Sequence, residues 1–270
     1  MAHDLKTNVH INFLFYRRNK LLVIVGILCF ALMVLTMIPS MIFTSANERF
    51  QLASRLYQFL VMFLYLLVAL IALISVWYHR SNRCLKLIFT KPYAPEQWVF
   101  SHYVSVVLLI SVGLFTGVFL YGVLSLCWGL PLQVGVLGAV VYHFCGILLV
   151  YSYLLALSSW VHPVVATVLY LLFSEGLFHW LALLCRAGAE AIEAGLGHVT
   201  LVVLDKIFYA IYFVLPTSAP FGEALSRVSN SFRMGWGDLK YVAGTLVYFA
   251  IMVSLAYLLT VLSLRRRSLT

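Results

Sequence analysis

Long apolar stretches, broken by a few charges, dominate the chain. Residues 21–47 carry no charge between Lys20 and Glu48, and 56–79 carry none between Arg55 and Arg80. The same holds for 97–174, between Glu96 and Glu175, and for 241–264, between Lys240 and Arg265. A membrane-spanning helix needs about 20 apolar residues, so each stretch can cross a bilayer and the longest must fold back on itself. Within it, Cys127-Trp128-Gly129-Leu130-Pro131 and Ser158-Ser159-Trp160-Val161-His162-Pro163 supply Gly and Pro where helices turn. The pattern predicts an all-α polytopic membrane protein with six spans, at 21–43, 56–78, 99–126, 133–158, 163–185 and 241–264, in one domain covering 1–270. Residues 198–215 are nearly as apolar, but Asp205-Lys206 falls near their middle. A charged side chain there costs about 2.5–3.5 kcal/mol on insertion scales.

Three further patterns lie outside the spans. Leu5, Val9, Phe13 and Tyr16 recur at spacings of 4, 4 and 3, with Lys6, His10 and Arg17 on other sides. This spacing fits a short amphipathic helix on the inner leaflet, and it fits an ordinary basic flank equally well. In 79–98, basic and apolar residues alternate up to Phe89, Pro92 and Pro95 bracket a turn, and Pro95-Glu96 can open the next helix. Helix-to-helix turns normally take about 2–8 residues, so a loop this long predicts a binding segment. Finally, 198–215 and the stripe Phe221, Leu225, Val228 and Phe232 predict two amphipathic or re-entrant helices in the outer interface before the last span.

Composition and charge sharpen this picture. The chain of 270 residues is 63% hydrophobic and 10% charged, where a soluble domain carries about a quarter charged residues. A soluble enzyme, a disordered linker, a disulfide scaffold and a nucleic-acid domain are thereby excluded as descriptions of the whole. The formal charge of +9 belongs to a membrane surface and not to a nucleic-acid partner, because six spans place it on one side. Lys6, Arg17, Arg18, Lys20, Arg80, Arg83, Lys86, Lys91, Arg265, Arg266 and Arg267 face the cytoplasm against only Asp4 and Glu96, while the outer segments nearly balance. The expected location is a plasma membrane, in a prokaryote the inner membrane, with both termini cytoplasmic. A seventh span through 198–215 would send Arg265-Arg266-Arg267 outside. Thr44-Ser45-Ala46 resembles a signal-cleavage site, but the apolar run before it exceeds the usual length of about 7–15 residues.

Catalytic motifs are missing. No Gly is followed by Lys, so there is no phosphate cradle, and neither His-Glu-x-x-His nor Gly-x-Ser-x-Gly occurs. No catalytic, cofactor or metal residue is therefore expected, and the chain is not expected to be an enzyme. Glu175 is the one acid inside an expected span, with His179 one turn on. Such a pair can relay protons, grip substrate or hold a metal, or it can be a neutral carboxyl bonded to the imidazole. That pair and the intramembrane histidines keep a membrane enzyme or electron-transfer subunit open as an alternative. His143 and His162 differ in depth, which disfavours a haem between them. Cys29, Cys84, Cys127, Cys145 and Cys185 show no metal spacing; Cys127 and Cys185 share the outer rim, where a disulfide and simple packing both fit. Gly113-x-x-x-Gly117 fits a close helix contact.

Arg83, Leu87 and Thr90-Lys91-Pro92-Tyr93-Ala94-Pro95-Glu96-Gln97-Trp98, running into a long third span, resemble the first cytoplasmic loop of type-2 ABC transporter permeases. Ser101-His102 stands where that family has Gly-Lys, and Tyr93-Ala94-Pro95 replaces the commoner middle residues. The resemblance extends over nearly the whole chain through the amphipathic N-terminal helix, the six spans and the re-entrant element. It implies a permease, expected to be an exporter, that dimerises with a second copy or a paralogue and binds two separate ATPase subunits carrying ATP and Mg. Arg83, Leu87, Lys91, Pro92, Glu96 and Trp98 would form its coupling loop, beside the interfacial helix bearing Leu5, Val9, Phe13 and Arg17. A non-transporting assembly or scaffold subunit with the same fold is the other alternative.

Overall fold

In a computed structural model, the described residues are 2–20, 49–81, 95–127, 135–172, 175–192, 196–214 and 236–268, with a few positions between 23 and 31. Every regular element among them is α-helical. We number the helices α1 (Ala2–Arg18), α2 (Arg49–Ser81), α3 (Pro95–Cys127), α4 (Gly135–Trp160), α5 (Pro163–Leu172), α6 (Glu175–Ala191), α7 (Leu196–Val214) and α8 (Trp236–Ser268).

Four helices among the described residues are long and apolar enough to cross a membrane: Leu56–Trp77, Pro95–Cys127, Ala139–Trp160 and Lys240–Arg266. They match the second, third, fourth and sixth expected spans. Most of the first expected span lies outside the described residues, although the bonds Asn19 N to Phe15 O (3.0 Å) and Val23 N to Asn19 O (3.1 Å) carry helical bonding past Arg18. Of the fifth, 163–172 lie on the ten-residue α5 and 175–185 on α6, while residues 173 and 174 lie outside the described residues. The expected outer helix at 198–215 is α7, and it runs unbroken through Asp205-Lys206. Phe221, Leu225, Val228 and Phe232 lie outside the described residues.

Local chemistry sets the ends that are visible. Pro95 occupies the first turn of α3 with Glu96 beside it, as the sequence predicts. Between α4 and α5 the chain breaks for only Val161 and His162, and the amide of Val164 donates to His162 Nδ1 at 3.3 Å. That side chain thus caps α5 where Pro163 cannot donate.

α2, α3, α4 and α8 form the bundle. Leu64 of α2 lies against Gly113 of α3 while Tyr57 lies against Gly117, so these two helices are antiparallel. α4 runs parallel to α2, because Tyr57 meets His143 near one end and Ser158 Oγ donates to Ala72 O (3.4 Å) near the other. α8 is parallel to α4: Tyr248 and Met252 pack near Cys145 and Leu149, and Ser263 Oγ donates to Ser159 O at 2.8 Å. Val68, Ile71, Val106, Ile110, Ile147 and Leu155 are almost wholly inaccessible at its centre. Lipid is as apolar as these side chains, so the bundle is held by close packing and interhelical hydrogen bonds more than by burial. α6 and α7 form a separate hairpin, with Phe178 on Phe208 and His198 Nδ1 bonded to Ala189 O at 2.8 Å. There the charge at the middle of α7 finds its partner: Arg186 of α6 pairs with Asp205 at 3.3 Å.

The Gly113 contact is tight. A Cβ at this position would stand 2.5 Å from a Leu64 methyl, and Leu64 is itself buried. Gly113→Ala should therefore cost about 1–3 kcal/mol, the usual range for overpacking. Adding Leu64→Ala should recover part of the loss. Thermal unfolding of the two single variants and the double checks this; additive losses would mean that the helices do not meet here.

Candidate functional site at the basic end of the bundle

The start of α3 and the C-terminal ends of α2, α4 and α8 meet at one end, where α1 also docks. The four helices converge through polar contacts, and the serines explain how. Ser75 donates to Ile71 O (2.6 Å), Ser101 to Trp98 O (2.8 Å), Ser105 to Ser101 O (2.7 Å) and Ser152 to Leu148 O (2.7 Å). Each hydroxyl proton is thus spent on its own helix, while the oxygen lone pairs remain open to a neighbour.

α1 uses two of those acceptors. Asn12 Nδ2 reaches Ser105 Oγ at 3.1 Å and Ser101 Oγ at 3.4 Å, and Asn12 is itself buried. One turn on, the Tyr16 hydroxyl shares a hydrogen bond with His102 Nδ1 at 3.1 Å. The His102 ring lies 4.2 Å from that of Trp98 and tilted 58° to it, so the imidazole touches both α1 and the indole. Burial pushes the Tyr16 phenol above its ordinary pKa, which keeps it neutral.

Helix α1 is the expected N-terminal helix, yet the face it buries is only partly the apolar stripe. Leu5 and Val9 are half-buried, Tyr16 is buried, Arg17 is exposed, and Phe13 is on the exposed side. Asn12, which no apolar periodicity singles out, lies at the centre of the contact. Ser101 and His102, notable in the sequence only as a departure from a family pattern, are the residues that receive α1.

The expected coupling loop divides here. Arg83, Leu87, Lys91 and Pro92 lie outside the described residues. Glu96 and Trp98 belong to the first turn of α3. Trp98 is buried, and Glu96 forms an ion pair with Arg265 near the end of α8. The Tyr257 hydroxyl donates to the Glu96 carbonyl at 3.2 Å, a second tie from α8 to the same turn. α8 is tied to α4 as well: Trp160 Nε1 donates to Leu259 O at 3.3 Å, and the Arg266 guanidinium lies 5.7 Å above the Trp160 ring. Glu96 and Arg265 are partly exposed, so the ion pair adds only about 0–1 kcal/mol of stability; its effect is to fix geometry.

Other expected residues lie elsewhere. Glu175 and His179 are in the first two turns of α6, and their side chains lie outside the described residues. His143 and His162 are separated by most of α4, about 25 Å of helix, so one haem cannot bridge them. Cys127, Cys145 and Cys185 are free thiols. Among the described residues, no group of His, Cys, Asp and Glu is arranged to hold a metal ion. No protein-family model matches the chain, and no curated protein matches its sequence.

Docking of α1 has a measurable cost. In Asn12→Ala, Ser101 and Ser105 keep their backbone bonds, so the loss should be about 0.5–1.5 kcal/mol and not the larger cost of a stranded group. Amide hydrogen exchange over residues 5–16 should accelerate while exchange in α4 stays unchanged. Uniform acceleration in both helices would mean that α1 is part of the bundle's core.

Proposed function

We propose that this chain is the membrane-spanning subunit of an ABC-2 type transporter, an exporter driven by separate ATPase subunits. Two such ATPases bind ATP and Mg on the cytoplasmic side, and a second permease copy or a paralogue completes the transporter. The chain resides in a plasma membrane, a prokaryotic inner membrane on this reading, with both termini cytoplasmic.

The observation that carries the reading is the set of ties at the first turn of α3. Segment 82–94 leads directly into this turn, and the turn is joined to α8 through Glu96 with Arg265 and Tyr257. One turn further, it is joined to α1 through Ser101, His102 and Ser105. A displacement applied to the preceding loop would therefore reach three helices at once, as a coupling loop requires. Concentration of basic residues near this end (Arg17, Arg265 and Arg266 are exposed) supports its assignment to the cytoplasm.

Two experiments test the proposal. Cysteine substitutions at positions 48 and 190 should react with an impermeant reagent from outside, whereas those at 83 and 267 should need a permeabilised membrane. Outside labelling at 267 would refute the orientation.

For the coupling role, Leu87→Asp and Lys91→Glu should reduce ATPase association or transport at least several-fold, with thermal unfolding unchanged. These residues would contact the partner and not the bundle. Normal association and transport in both variants would reduce the loop to a connector.

A further inference from the structure

Away from the basic end, the bundle holds a second set of polar groups. Tyr57 Oη, Tyr121 Oη, Ser125 Oγ and His143 Nδ1 are buried and have no hydrogen-bond partner among the described residues. Two of them face one another across the seam between α2 and α4: the Tyr57 and His143 rings are 5.8 Å apart. Tyr142 flanks the imidazole at 4.9 Å.

α3 closes the third side. A Cβ at Gly117 would stand 3.2 Å from a Leu60 methyl and 3.4 Å from the Tyr57 ring, so the phenol packs directly against this face of α3. Gly117, Tyr121 and Ser125 follow one another at one-turn steps on α3. The unpartnered hydroxyls of the last two therefore mark a row from the far end of α3 towards Tyr57. On the other side, Val61, Leu64, Leu114 and Ile147 are almost wholly inaccessible and separate these groups from the polar contacts of the basic end.

Buried donors and acceptors in a folded protein are nearly always paired, to protein or to a bound molecule. The chemistry of these four restricts what can pair with them. Residues 97–174 contain no charge, so α3 beyond Glu96 and all of α4 offer nothing to neutralise an ion. Phenol, hydroxyl and imidazole each donate or accept, which suits a partner that does both. We propose that Tyr57 and His143, approached along Tyr121 and Ser125, form a binding site for an uncharged hydroxyl-bearing guest, either water or a small polyol. The site stands on these contacts alone and does not depend on the transporter reading.

The test uses the full chain in lipid nanodiscs with ¹⁵N-labelled histidine, His143 being assigned by loss of its signal in His143→Gln. Tyr57→Phe keeps the ring against Gly117 and removes only the hydroxyl. If the site is occupied, this variant should melt about 2–4 °C lower, because a hydrogen bond to the guest is lost. The His143 imidazole should also show a hydrogen-bonded nitrogen resonance. Ethylene glycol serves as the polyol probe: a saturable shift of that resonance, absent in Tyr57→Phe, identifies a solute site, and a hydrogen-bonded resonance indifferent to the probe identifies water. Either a Tyr57→Phe melting temperature equal to or above that of the parent, or an imidazole without a hydrogen-bonded nitrogen, overturns the proposal.

Discussion

A polar side chain inside an apolar helix bundle has no water to turn to, and the basic end of this protein is arranged around that constraint. Ser75, Ser101, Ser105 and Ser152 each give their proton to a carbonyl one turn back on the same helix. Taken alone, such a bond slightly loosens a helix. Here it prepares acceptors at fixed positions, and Asn12 needs two of them. An apolar α1 could slide along α3 with little change in energy. An asparagine that must meet Ser101 and Ser105 has one favourable register, and Tyr16 with His102 fixes the same register a turn later. Polar contacts contribute specificity here more than raw stability.

The same economy joins α8 to the rest. Its ties at Tyr257, Leu259, Ser263 and Arg265 fall within its last three turns, and they engage both α3 and α4. Nearer its start, α8 touches α4 through Tyr248 and Met252 beside Cys145 and Tyr153, an adaptable contact of aromatic and sulfur groups. These four ties lie at the end where α1 and α3 also meet, so a proposed drive from segment 82–94 would act where several helices are joined.

The sequence disclosed these features unequally. Charge-free length located α2, α3, α4 and α8 because exclusion of charge is a property of each segment by itself. For 163–185 it indicated a span, whose described parts lie on α5 and α6. Asp205-Lys206 argued against a span through 198–215 but not against a helix there, which is α7; the pairing of Asp205 with Arg186 was not legible, because only the folded hairpin brings the two near. The apolar stripe of α1 pointed to Phe13, whereas the structure buries Asn12. The reason lies on α3, in oxygens whose availability depends on helix direction and register. Pro95 and Glu96 were legible because capping is local; the partner of Glu96 was not, being 169 residues away.

The parallel pairing of α4 and α8 also bears on how the protein is made. The two helices are neighbours in the bundle but are separated in the chain by α5, the α6–α7 hairpin and the segment up to Trp236. During synthesis α4 emerges long before α8, so the surface formed by Cys145, Leu149, Ser159 and Trp160 waits uncovered in the membrane. The Ser159 carbonyl and the Trp160 indole gain their bonds to Ser263 and Leu259 only when α8 arrives. A nascent chain stopped before residue 236 would expose that face to lipid and to cellular quality control, because the bundle closes only once α8 has been made.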